Sequence, residues 1–135
     1  MKVVLDTNVL VSAFLSPSGN AARILRLFIQ GDVLIVLNES ILAEYYEVLK
    51  RPKFEFDMEA VLIVIDYIRS IGINAPALAI STSLPDHNDE PFLEAALATQ
   101  ADALITGNIK HFPKKYCKGQ KVITPRDFLN SLKGV

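Results

Sequence analysis

Asp6, Glu44, Asp86, Asp89 and Asn108 are the side chains whose types and settings admit chemistry in this sequence. Asp6 closes the apolar run Val3-Val4-Leu5 and is followed at once by a hydroxyl and an amide, Thr7 and Asn8. That is the pattern of a carboxylate at a strand's carboxyl end, where open α/β sheets place their ligands. Taken alone, such an acid reads first as a helix cap; the other acids change the weighing. Two unit charges ~4 Å apart repel by roughly 4 kcal/mol at an effective dielectric of 20, so three or more carboxylates in one cleft usually mean that a hard cation neutralises them. Oxygen donors without clustered His or Cys favour Mg²⁺ or Mn²⁺ over zinc. Such a site turns a bound water into hydroxide near neutral pH and stabilises charge on a transferring phosphate, so the reaction class indicated is metal-dependent phosphodiester cleavage.

The elements that must position these residues follow from the apolar pattern. After the first strand, residues 9–14 read as a short buried helix that stops in the turn cluster Ser16-Pro17-Ser18-Gly19. Asn20 is placed to cap a second helix over 21–30, ended by Gly31. Residues 32–37 form a nearly continuous apolar run of strand length, suited to a parallel strand covered on both faces. A third helix is expected over 38–51, with Ile41, Leu42, Tyr45 and Leu49 toward the core and Ser40, Glu44, Glu47 and Arg51 on one polar stripe. The fourth, over 57–70, is apolar almost all round, the mark of a deeply buried helix or a subunit interface. Pro76 breaks the next segment, in which a short strand is expected around Ala79-Ile80. An acidic turn from Leu84 to Pro91 then leads into a helix over 92–100, a buried strand over 103–106, a lysine-rich loop, a short strand over 122–124 and a closing helix with Pro125 in its first turn.

Strands alternating with helices imply a three-layer α/β/α sandwich around a central, mainly parallel sheet of four to five strands. Right-handed crossovers bring every strand's carboxyl end to one edge. Asp6, the Asn38 turn opening the Glu44 helix, the Asp86/Asp89 loop where a strand precedes it, and Asn108 are thereby candidates for a single cleft.

A chain of 135 residues, half of them hydrophobic and 21% charged, fits one compact domain over residues 1–135. Its formal net charge of −1 supplies no global attraction to nucleic acid or anionic membranes, so a polyanionic partner must be held locally or through metal ions. The single Cys117 excludes an internal disulfide, and no Cys/His spacing fits a structural zinc. The apolar N-terminal run is cut off at Asp6, and no run approaches the ~20 residues of a membrane span, so a soluble, cytoplasmic protein is expected.

Asp6-Thr7-Asn8, Glu44, Asp86-xx-Asp89-xx-Phe92-Leu93-xx-Ala96 and Thr106-Gly107-Asn108-xx-His111-Phe112 together resemble the PIN-domain family of Mg²⁺/Mn²⁺-dependent ribonucleases, over nearly the whole chain. The similarity is greatest to VapC-like toxins of type II toxin–antitoxin pairs. The resemblance implies that Asp6 is the first metal-binding acid, with Thr7, Asn8 and Thr106 as supports. It implies Glu44 as the second acid, with Glu47 in its place if the helix register shifts, and Asp89 as the third. Asp86 belongs to the acidic loop, with capping, bracing and water-mediated metal contact all open to it; N-capping is equally open to Asp89. Asn108 matches the fourth position, where the family often has Asp. Its amide keeps an oxygen without the charge, which implies one firm ion and a second that arrives with substrate.

His111 is placed to contact the scissile phosphate or to shuttle a proton, if it is not simply an exposed loop residue. Lys110, Lys114 and Lys115 are candidates for holding an RNA backbone near the acids. The resemblance further implies a cognate antitoxin protein and a homodimer, with the 57–70 helix contributing to an interface.

Competing assignments fail on particular residues. A haloacid-dehalogenase-type phosphatase needs a second Asp two residues after the first, where Asn8 stands. A response-regulator receiver needs an acidic pair after its first strand, and a nucleotide-binding domain needs a GxGxxG or GxxxxGK loop; neither is present. The alternative from a different class is a non-catalytic PIN-like module that binds RNA or protein, which Asn108 keeps open.

Overall fold

The computed structural model describes residues 1–80 and 83–133. Among them, five strands pair in the order β3-β2-β1-β4-β5, every pairing parallel. The strands are β1 (Lys2–Leu5), β2 (Leu34–Leu37), β3 (Ile73–Asn74), β4 (Ala103–Ile105) and β5 (Val122–Ile123). The helices are α1 (Thr7–Leu15), α2 (Asn20–Ile29), α3 (Glu39–Leu49), α4 (Met58–Ile71), α5 (Glu90–Thr99) and α6 (Pro125–Leu132). From β1 the chain steps outward to β2 and β3, then returns across the sheet to β4 and β5 on the other side. Right-handed crossovers in opposite directions put α5 on the face opposite the helices that precede β2 and β3, which gives the three layers. The reversal leaves β1 and β4 as neighbours whose following loops diverge, the switch point at which α/β sheets open a crevice.

Local chemistry accounts for most element ends. The Asp6 carboxylate accepts from Thr7 N, so α1 begins at Thr7 rather than at the expected Val9. Asn38 caps α3 through its side chain, and Asp57 does the same for α4. Asn20 does not cap α2: it is the first helical residue, and Gly19 occupies the cap position without a side-chain bond. Gly31, at φ 88°, closes α2 in the left-handed region that a side chain would strain. The three core strands β1, β2 and β4 are almost wholly buried, as a sheet covered on both faces requires.

The strand expected around Ala79-Ile80 lies elsewhere. Pairing occurs at Ile73–Asn74 against Val36 and Leu37, and residues 79–80 join no ladder. Gly72 is the reason the chain can come so close to β2. A Cβ there would lie 2.4 Å from Leu37 Cδ2, 2.5 Å from Ile68 O and 2.9 Å from Ile35 O. The ladder ends with Ala75 N donating to Leu37 O, at the residue where β2 itself stops and gives way to the Asn38 cap of α3. The acidic loop therefore does not follow a strand end directly; it reaches the sheet edge through the start of α5.

Helix α4 buries Val61, Ile65 and Ile68 and exposes Leu62, Ile63, Tyr67 and Ile71. Among the described residues, no helix is long and apolar enough to cross a membrane.

The tight approach at Gly72 makes a direct prediction. Gly72→Ala is expected to cost about 3 kcal/mol, because neither the backbone carbonyls nor the packed Leu37 can give way freely. Urea unfolding of the variant against the wild type measures it.

Candidate active site at the β1–β4 switch point

Asp6 sits one step past the β1–β4 ladder, its N–H donating to Ile105 O at 2.9 Å, and only 5% of its surface is exposed. Both carboxylate oxygens are engaged. Oδ1 accepts from Thr7 N at 2.8 Å, while Oδ2 accepts from Thr106 Oγ1 at 2.8 Å and Asn8 Nδ2 at 3.3 Å. Capping and site-building are thus not alternatives for this residue: one oxygen caps α1 and the other faces β4. An ionised carboxylate has about four acceptor directions, so capacity remains for a further partner. Burial nevertheless raises the Asp6 pKa, against the lowering effect of the Thr106, Thr7 and Asn8 hydrogen bonds and of nearby His111.

Each neighbour is fixed by a named contact. The Thr7 hydroxyl donates to Glu44 Oε2, which joins the start of α1 to the middle of α3. Asn8 Oδ1 accepts from Gly107 N at 2.9 Å, and Thr106 Oγ1 accepts from Asn108 N at 3.0 Å, so the loop after β4 is braced and tied to the start of α1. Asn108 joins the cluster through this backbone bond.

Glu44 is half-buried. Its pKa is raised by burial first and then by Asp6 and Asp86, with the Thr7 hydrogen bond and Arg51 acting in the opposite sense. Glu47, the alternative on the same stripe, is exposed and pairs with Lys50 at 3.1 Å, so the register favours Glu44.

Asp89 sits at the cap position of α5 but makes no capping bond. Its Oδ2 is buried without a hydrogen-bond partner among the described residues. His111 Nδ1 lies 3.0 Å from that oxygen, close enough for charge to act but outside hydrogen-bond geometry. Burial, followed by the charge of Asp6, pushes the Asp89 carboxyl up to about 6, and Asp86 and Glu44 add to the rise while His111 resists it. A buried acceptor with no donor is satisfied by a proton or by a cation.

Asp86 is exposed and accepts from Asn88 N at 2.9 Å, bracing the short 3-10 turn His87–Asp89. His87 pairs with Glu90 at 2.7 Å, away from the cluster. Lys110 follows Asn108 closely, whereas Lys114 and Lys115 lie farther along the same loop, the latter 5.0 Å over the Tyr116 ring.

The sequence pattern placed Tyr45 in the core and missed its second task. Its hydroxyl donates to Leu5 O at 2.6 Å and its ring packs 6.4 Å from Phe92, which locks α3 to β1 and α5 directly beside Glu44. A phenol at a core position signals such a partner, since burying its hydroxyl unpaired is costly. Arg51 was read only as part of a polar stripe, yet its charge reaches Glu44.

The charge of Asp6 thus reaches both Glu44 and Asp89, and that of Glu44 reaches Asp89, from three different parts of the chain, all oxygen donors of the kind hard divalent cations take. Among the described residues, no three His, Cys, Asp or Glu side chains converge closely enough to form a ready metal cage. By chemistry the donors fit such an ion, and Asp89 Oδ2, buried without a hydrogen-bond partner among the described residues, supplies a ligand beside which the His111 ring stands at 3.0 Å.

The PIN-domain family profile matches residues 2–110. An uncharacterised protein of Methanocaldococcus jannaschii is 28% identical, the alignment covering 96% of this chain and 90% of that protein. Two solved structures share the fold. One is VapBC2 from Rickettsia felis, bound to a DNA fragment from their promoter, with a TM-score of 0.59, 24% identity and coverage of 92% of this chain and 98% of that one. The other is VapBC-1 from nontypeable Haemophilus influenzae, with a TM-score of 0.60, 16% identity and coverage of 93% and 99%.

The raised Asp89 pKa has a consequence for stability. A carboxyl whose pKa is higher folded than unfolded favours folding fully below its unfolded value of 3.8, and that contribution is lost as pH climbs through about 6. Metal-free Asp89→Asn is therefore expected to exceed the wild type in stability by about 1–2 kcal/mol at neutral pH, since Asp6 and Glu44 share the strain. At about pH 4 the gain should vanish. Thermal unfolding of both proteins at the two pH values measures it, and an equal difference at both would exclude a strained Asp89.

Proposed function

Because the chain belongs to the PIN-domain family, we propose that it is a Mg²⁺- or Mn²⁺-dependent endoribonuclease and the toxin half of a toxin–antitoxin pair. The observation that carries this reading is Asp89 Oδ2, a buried carboxylate oxygen without a hydrogen-bond partner among the described residues, electrostatically coupled to Asp6 and Glu44 at the switch point. Asp6, Glu44 and Asp89 would hold the ion, with the Asn108 amide as an uncharged fourth donor. When bound, the ion supplies a water of lowered pKa and offsets charge on the scissile phosphate.

The protein's own contribution is orientation. Thr106, Asn8 and the Thr7 N–H hold the Asp6 carboxylate, and the Thr7 hydroxyl holds Glu44. Tyr45 fixes the helix that carries Glu44. His111, 3.0 Å from Asp89, would hold or pass a proton at the rim of the cleft.

The VapBC likeness supports a cognate antitoxin protein as partner, and the absence of internal disulfide chemistry suits a cytoplasmic setting. The exposed apolar residues Leu62, Ile63, Tyr67 and Ile71 of α4 would serve a homodimer. Sedimentation at high micromolar concentration is expected to give a dimer that Ile63→Arg dissociates, and a monomeric wild type would overturn that assignment.

The competing reading, a non-catalytic module, draws on Asn108 and on the lack of a ready cage among the described residues. Mn²⁺-dependent cleavage of mixed single-stranded and structured RNAs separates the two. Asp6→Asn, Glu44→Gln and Asp89→Asn are each expected to lower the rate at least about 100-fold, the scale of losing one charge-stabilising group. Wild type and variants that are equally inert, or equally active, would refute the nuclease.

A further inference from the structure

One stretch of the chain has a charge unlike the rest. Residues 103–126 hold six of its 14 Lys and Arg and none of its 15 Asp and Glu, so the near-neutral total conceals a basic segment on an otherwise acidic protein. The connection from β4 to β5 lies within this segment and borders an open hollow of about 650 Å³. Ile109, Phe112 and Val122 give the hollow apolar walls, and Lys110, Lys114 and Lys121 line it as well. All three lysines are exposed, and none forms an ion pair among the described residues. Volumes of about 300–1,000 Å³ are those of sites that enclose small organic ligands, so the space admits a nucleotide.

Its placement relates it to the acids. Ile109 directly follows Asn108, and the 3-10 turn Ile109–His111 ends on the residue whose ring lies 3.0 Å from Asp89. Lys121 lies at the opposite end, where its carbonyl accepts from Leu104 N before β5 begins. The hollow therefore starts at the rim of the acidic cleft and runs along the crossover toward the amino end of β5. A carboxylate cluster repels a polyanion, and neutralisation at the reacting phosphate leaves the flanking phosphates unpaired. Cations on an adjoining track supply what the cleft cannot.

We propose that the Lys110–Lys114–Lys121 hollow is the subsite for the RNA nucleotides on one side of the scissile bond, with the lysines on successive phosphates and the apolar walls against a base. This rests on the ribonuclease reading for the identity of the polymer, while the binding itself needs no metal.

The test titrates a short, mixed-sequence, fluorescein-labelled oligoribonucleotide into the full chain in EDTA between about 50 and 200 mM salt, read by anisotropy. The triple variant Lys110→Gln/Lys114→Gln/Lys121→Gln is compared with Lys50→Gln/Lys53→Gln, which removes two exposed lysines elsewhere. With about 0.7 counterions released per phosphate contact, the triple variant is expected to lose about two from the log–log salt slope and at least about tenfold in affinity. The control should match wild type, and thermal midpoints should agree across all three. With Mn²⁺ added, the triple variant should raise KM for RNA and keep kcat.

A triple variant that binds and cleaves as the wild type does would overturn the subsite and leave the nuclease standing. Lysine-dependent binding without any Mn²⁺-dependent cleavage would refute the nuclease and retain the subsite as an RNA-binding track. A wild type that does not bind the oligomer at all would overturn the subsite outright.

Discussion

A nearly buried carboxylate at the junction of β1 and β4 is the constraint on which the rest of this structure turns. Asp6 is removed from water at 5% exposure, and a charge so placed must be met by donors or given up. Three groups meet it, two from the start of α1 and one from the loop after β4: the Thr7 N–H, the Asn8 amide and the Thr106 hydroxyl. Those same groups then organise their surroundings. Asn8 holds Gly107, Thr106 holds Asn108, and Thr7 holds Glu44, so the loop after β4 and the middle of α3 are drawn to the end of β1. The donors that offset the desolvation of one acid thereby fix Glu44 and the loop that carries Asn108.

That arrangement leaves a strained remainder. Asp6, Glu44 and Asp89 each have a raised pKa, with burial the largest cause in every case and their mutual charge adding to it for Glu44 and Asp89. Asp6 relieves its share with hydrogen bonds, whereas Asp89 forgoes the capping bond its position offers and keeps one oxygen buried without a hydrogen-bond partner among the described residues. A carboxylate so placed favours its protonated form, and a buried group that keeps its charge open to a partner is one that a fold holds at a cost to its own stability. The basic connection between β4 and β5 balances the acidic remainder of the chain in sum but not in space.

Much of the architecture was legible because it is written in periods. Runs of apolar residues too short for helices marked β1, β2 and β4, and the 3.6-residue spacing of Ile41, Leu42, Tyr45 and Leu49 oriented α3, all four of which are buried. Boundaries were less legible where a side chain rather than a pattern sets them, as with Asp6 at the start of α1 and Gly19 in place of Asn20 before α2. The third strand was misplaced by about six residues, since a two-residue strand has no period to read. Its position depends on the missing side chain of Gly72 meeting a neighbour thirty-five residues away, Leu37.

By itself the sequence determined the class of fold, the parallel sense of the strands and the set of oxygen-bearing residues near the strands' carboxyl ends, because each depends on residue type and local spacing. Only the tertiary structure decided how those residues act on one another. Whether Asp6 caps or faces the cleft, whether Glu44 or Glu47 turns inward, and whether Asp89 spends its carboxylate on a helix end were all open to the one-dimensional pattern. They are settled by contacts between residues up to a hundred positions apart, such as Thr106 on Asp6, where burial makes each hydrogen bond a condition of the fold.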